Sequence, residues 1–192
     1  SPSGPSLLPL ALPQAARAAN AAAQIFTAAI PHCRPTGYDF RMLSAFFDSM
    51  VSLIVKTSTD LPPDVRTAMR VAMDREEEPR ATQALNIIGQ NIDLASAGEG
   101  AICQDTGMPP FTVRVPAGVD ELVLAHAIGE AVADATRKGT LRPNSVDPIT
   151  RASSPTNLGQ GTPVVHFAQW SEPDVEVELL LKGGGSENVS GQ

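Results

Sequence analysis

The stretch Cys103-Gln104-Asp105-Thr106-Gly107 gathers a thiol, an amide, a carboxylate and a hydroxyl within about 10 Å of chain. It follows the short apolar step Ala101-Ile102 and runs into the bend Met108-Pro109-Pro110. Such a turn can supply one soft metal ligand and several groups that orient a substrate. It is also compatible with a buried cysteine beside a turn-forming Asp-Thr-Gly. A cysteine nucleophile is a third reading, although no histidine lies near Cys103 in sequence.

Lys182-Gly183-Gly184-Gly185-Ser186-Glu187-Asn188 follows the apolar run Leu179-Leu180-Leu181. Successive glycines permit positive φ and let backbone N–H groups approach a ligand closely. A strand feeding such a loop can form an anion-binding nest, with Lys182 adding charge at its rim. The Gly-Lys-Ser/Thr order of a phosphate-binding loop is absent. A flexible exit turn is the plain alternative.

Between these stretches lies Leu141-Arg142-Pro143-Asn144-Ser145. The Arg142 guanidinium can clamp a carboxylate through two hydrogen bonds, or it can be a solvated loop side chain. Asn157-Leu158-Gly159-Gln160-Gly161-Thr162-Pro163 is a second polar turn. His126 and His166 have no metal-ligand neighbour at a useful spacing, and His32-Cys33 matches no zinc pattern. Trp170 reads as a core or interface residue rather than a cofactor contact.

These residues need elements to hold them. Phe40, Leu43, Phe46, Phe47, Met50, Val51 and Ile54 recur at spacings of three and four, which is one face of a helix. A second helix is expected with Asp60 as its cap, Pro62 and Pro63 in its first turn, and an acidic end at Glu76–Glu78. Ala84, Ile87, Ile88, Ile92 and Leu94 mark a third, ending at Gly98-Glu99-Gly100. Phe111–Val115 alternates as a strand, and residues 120–138 read as a helix with Gly139 just beyond it. Residues 163–169 and 174–181 read as two strands forming a hairpin across Ser171-Glu172-Pro173. The expected fold is α/β or α+β, an N-terminal helical layer followed by a small mixed sheet with motif loops at its edge.

Composition narrows the class. A net charge of −7 argues against a general nucleic-acid binder, and an anionic substrate would need locally placed cations. No apolar run reaches the roughly 18 residues of a transmembrane helix. The 2 cysteines lie far apart, so a reducing compartment is the simpler reading. Residues 1–37 are Ser-, Pro- and Ala-rich and read as a low-complexity extension, with 38–192 as the domain. A mitochondrial transit peptide is the alternative for 1–37; otherwise the expected location is cytoplasmic. The chain begins at Ser1 and stops at Gln192, just past a glycine-rich turn, so a piece of a longer protein is expected.

Taken in order, Ile-Cys-Gln-Asp-Thr-Gly, Leu-Arg-x-x-Ser, Asn-x-Gly-x-Gly-x-Pro and Lys-Gly-Gly-Gly-Ser-Glu-Asn resemble the class I fumarase and tartrate dehydratase family, alpha part, over about residues 45–192. The resemblance implies a [4Fe–4S] cluster with Cys103 as one ligand. It implies substrate contacts from Gln104, Asp105, Arg142 and Gly185, with Lys182 matching the motif beside them. Asp105 and Thr106 are the catalytic candidates; Asp105 could assist proton transfer or orient water. The family's two further cluster cysteines follow the glycine-rich turn, and Cys33 lies in an unmatched segment.

The resemblance further implies reversible hydration of a small dicarboxylate, fumarate to malate first and tartrate dehydration second. It implies a beta-type domain or subunit as partner, and a homodimer or alpha/beta assembly. Neither nucleic acid nor a membrane is an expected partner. An iron with an open position would act as a Lewis acid on the departing hydroxyl. A non-catalytic remnant or binding subunit is the competing reading, motivated by the missing cysteines.

Overall fold

The computed structural model describes residues 40–103, 108–181 and 183. Three helices come first: α1 (Phe40–Thr59), α2 (Pro63–Arg75) and α3 (Pro79–Leu94), the last running into a π-helical turn at Ala95–Glu99. Strand β1 (Pro110–Pro116), helix α4 (Glu121–Arg137), and strands β2 (Val164–Trp170) and β3 (Glu176–Leu179) follow. The helical layer and small mixed sheet agree with the expected fold class. The extension at 1–37 lies outside the described residues.

The helix boundaries differ from expectation at two acidic sites. Asp60 does not cap α2, which starts at a proline with no side-chain cap. Its carboxylate instead accepts from the Leu61 N–H and from Arg66. The acidic cluster is divided between two helices: α2 stops at Arg75 with Glu76 as its C-cap. Glu78 caps α3, its carboxylate accepting from the Ala81 N–H at 2.6 Å. For Glu78 the macrodipole is therefore favourable, because a negative charge suits a helix N-terminus.

The expected hairpin does not form. The strand order is β2-β1-β3, with β1 in the middle. Strand β2 runs parallel to β1, Pro110 facing Val164 and Pro116 facing Trp170. Strand β3 runs antiparallel to β1 on the other side, Phe111 facing Leu179. A parallel pair requires a crossover, and α4 is that crossover. Asp120 caps α4 through the N–H groups of Leu122 and Val123, and Gly139 follows it at φ 80°.

One face of the sheet is packed. Phe111, Val113 and Val115 of β1, with Val175, Val177 and Leu179 around β3, meet Leu124, Ile128, Ala131 and Ala135 of α4. Helix α1 closes this layer with Phe46, Met50, Leu53 and Ile54. Each large side chain so buried stabilises the fold by about 1.5–3 kcal/mol. The opposite face is polar: Arg114 bridges Glu176 and Glu178 and lies over the Trp170 ring. The Trp170 indole also donates to the Asp174 carbonyl.

Helices α2 and α3 stand outside this core. Helix α2 has no buried residue and α3 buries Ile92, while Ile87, Ile88 and Leu94 are exposed. They are tied to the body by Arg66, which pairs with Asp60 at 2.8 Å and Asp93 at 3.0 Å and donates to the Ser96 hydroxyl. No described helix is long and apolar enough to cross a membrane.

Candidate functional site

Chain direction brings the motif loops to one end of the sheet. Strands β1 and β2 begin at this end, since Pro110 pairs with Val164. Helix α4 returns there, so the loop with Arg142 leaves its C-terminus at the same place. Strand β3 runs the opposite way and finishes there, the Leu180 N–H donating to the Pro110 carbonyl. Met108 and Pro109 just before β1, the Arg142 loop, the turn at 157–163 and Gly183 therefore share one end of the sheet.

Helix α1 contributes from the same side. Leu43 and Phe47, near its start, line a groove with Leu122 and His126, near the start of α4. The two helices thus run the same way, and Thr57, Ser58 and Thr59 lie toward the motif end. These three hydroxyl residues are buried, and each satisfies its hydroxyl on a carbonyl of its own helix. That leaves the Ser58 carbonyl, which has no successor within the helix, to accept the Ile102 N–H at 2.9 Å. The Asn91 carboxamide of α3 donates to the Ile102 carbonyl at 2.8 Å. Both backbone groups of the residue before Cys103 are thereby fixed.

Cys103 is exposed and is a free cysteine. The alternative of a buried cysteine does not hold, whereas an accessible thiol suits a metal ligand. Among the described residues, no group of three or more His, Cys, Asp and Glu side chains could hold a metal ion. Cys103 fits one ligand of a cluster, and the described residues do not complete the set.

Arg142 is exposed on its loop. The backbone around it is organised by Asn157, which is only 2% exposed and has φ 56°. The Asn157 side-chain oxygen accepts from the N–H groups of Asn144 at 2.8 Å and Ser145 at 3.0 Å. Its nitrogen donates to the Arg142 carbonyl at 2.6 Å and to the Thr136 hydroxyl at 3.1 Å. The two polar turns are one unit joined through this side chain. Beyond them, Asp147 turns the chain by accepting from the N–H groups of Thr150 and Ile149. Those bonds, with one from the Thr150 hydroxyl, hold its carboxyl below the ordinary value. A cleft of about 250 Å³ lies between the turns, bordered by Ser145, Asp147, Thr150 and Thr162.

Gln104, Asp105, Thr106, Lys182 and Gly185 lie outside the described residues. His126 and His166 are exposed on α4 and β2. Ser58 and Asn91 carry no motif signature, and nothing in their sequence neighbourhoods marks them as supports of Cys103.

Residues 47–192 match the family fumarate hydratase (Fumerase). The chain belongs to that family. This fumarase-family chain is 47% identical over 147 residues to the "Putative fumarate hydratase class I" of Geobacillus stearothermophilus, covering 76% of this chain and 29% of that protein. It is 32% identical over 148 residues to the "Putative L(+)-tartrate dehydratase subunit alpha" of Methanocaldococcus jannaschii, covering 74% and 52%. It is 30% identical over 133 residues to the L(+)-tartrate dehydratase subunit alpha of Escherichia coli, covering 67% and 43%. The fumarase-family chain thus spans from under a third to about half of these relatives.

Proposed function

We propose that the protein carrying this chain is a hydro-lyase that reversibly hydrates a small dicarboxylate, fumarate to malate first. The observation that supports the reading is that chain direction carries the Ile102–Cys103 backbone, the Arg142 loop and the end of β3 toward the same end of the sheet. Likeness to a class I fumarate hydratase at 47% identity favours fumarate. L-tartrate dehydration is the second reading, favoured by the match to alpha subunits of that name.

In this reading Arg142 binds a substrate carboxylate, with Gln104, Asp105, Lys182 and the backbone at Gly185 lining the rest of the pocket. A guanidinium is the suitable group, because the chain as a whole is anionic and would otherwise repel a dianion. Asp105, with Thr106 beside it, assists proton transfer or orients water. Cys103 contributes one thiolate to a [4Fe–4S] cluster whose other ligands lie outside the described residues. The cluster, when bound, supplies a Lewis acid. Residues 38–192 form part of the alpha-type domain. A beta-type domain or subunit completes the enzyme, in a homodimer or alpha/beta assembly. A reducing, cytoplasmic setting suits the thiolate.

The test is anaerobic iron–sulfur reconstitution of the full-length protein with its partner, followed by fumarate hydration and L-tartrate dehydration assays. Turnover of fumarate above tartrate supports the first reading, and the reverse order supports the second. No turnover of either contradicts both.

A further inference from the structure

We propose that Asn157 is a positioning residue for substrate binding, acting through the Arg142 loop. This rests on the reading of Arg142 as the carboxylate-binding group.

The Asn157 carboxamide has two donor and two acceptor positions, and all four are used. Three of the bonds go to the backbone of one short segment: the Arg142 carbonyl and the N–H groups of Asn144 and Ser145. Pro143, between them, has no N–H to offer. The path of the chain at Arg142 is therefore set by a side chain that arrives 15 residues later. The fourth bond anchors the amide to Thr136, whose hydroxyl donates to the Val132 carbonyl at 2.7 Å within α4. The loop is thus referenced to the helix that crosses the sheet.

Residue choice at this position is narrow. Asn tolerates the positive φ of 56° better than most residues. Asp has the same shape but cannot donate to the Arg142 carbonyl when ionised, and it would bury a charge. Gln adds a methylene to a side chain that is 2% exposed.

The experiment uses the full-length protein with its cluster reconstituted. KM and kcat for the dicarboxylate are measured for wild type, Asn157→Gly, Arg142→Ala and the double variant. Glycine keeps the positive φ accessible and removes all four bonds. Asn157→Asp, which retains the two acceptor positions, serves if the glycine variant does not fold. The expected result is a rise in KM of about 10- to 100-fold for the Asn157 variant. In the Arg142→Ala background the same change raises KM little further, because the group it positions is gone. A purely structural role predicts lower stability with KM unchanged, or effects that multiply fully in the double variant. Either result overturns the proposal while leaving Arg142 in place. An unchanged KM for Arg142→Ala overturns the proposal together with the assignment of Arg142.

Discussion

The Asn91 carboxamide donates a 2.8 Å hydrogen bond to the carbonyl of Ile102, the residue preceding Cys103. The other side of the same peptide segment is held by Ser58, whose carbonyl accepts the Ile102 N–H at 2.9 Å. Two helices outside the sheet thus grip the backbone that presents the thiol. Asn91→Ala removes one grip at an exposed site, so the cost to stability is about 1 kcal/mol or less. Iron content after reconstitution should fall, while the denaturation midpoint of the iron-free protein moves little. Unchanged iron content would mean that other contacts hold Cys103.

Cys103→Ser separates chemistry from folding. The thiol is exposed, so the iron-free variant should unfold within about 0.5 kcal/mol of wild type. Cluster absorbance and hydro-lyase turnover should both be lost. A variant that keeps a full cluster would rule Cys103 out as a ligand.

The sandwich of α1, α4 and the sheet should respond very differently at two positions of one helix. Ile128 is 0% exposed and Leu122 is 82% exposed. Ile128→Ala should cost about 2–5 kcal/mol through lost burial and a residual cavity. Leu122→Gln should stay within about 0.5 kcal/mol. Urea titration of both variants compares them directly; equal losses would contradict the packing.

Acid should weaken the tie between α2 and the end of α1. Burial raises the Asp60 carboxyl, but the bonds from Arg66 and the Leu61 N–H, with the charges of Arg66 and Lys56, outweigh it and leave the pKa lowered. A lowered carboxylate pKa contributes stability that is full above the ordinary value of about 3.9 and is lost as pH falls through the folded value. The stability difference between wild type and Asp60→Asn should therefore be constant from neutral pH down to about 4 and shrink below it. A difference that grows on acidification would have the wrong sign.

Period and spacing made most elements legible. The α1 face, the β1 alternation and the Asp120-capped, Gly139-terminated α4 all follow from short-range rules that the structure obeys. Pairing was not legible in the same way. Ser171-Glu172-Pro173 looks like a hairpin turn, yet β2 and β3 each pair with β1, on opposite sides of it. Charge was misread where it depended on which helix owned it: Glu78 belongs to α3 and Asp60 to a salt bridge.

Within the site, the sequence marked Cys103, Arg142 and the Asn157 turn by residue type. It could not show that Asn157 is buried against Arg142, or that Ser58 and Asn91 reach Ile102, since those contacts span 11 to 44 residues between elements. Gln104, Asp105, Thr106, Lys182 and Gly185 fall outside the described residues, so their places remain those given by the motif.

The most direct measurement is the rate of fumarate hydration by the full-length protein, reconstituted anaerobically with iron and sulfide in the presence of its beta-type part. A fumarase-type hydro-lyase should form malate, lose that activity on exposure to oxygen or with Cys103→Ser, and need much more substrate for the same rate with Arg142→Ala. Cluster-free protein that hydrates fumarate equally well, or cluster-loaded protein inert toward both fumarate and L-tartrate, would contradict it.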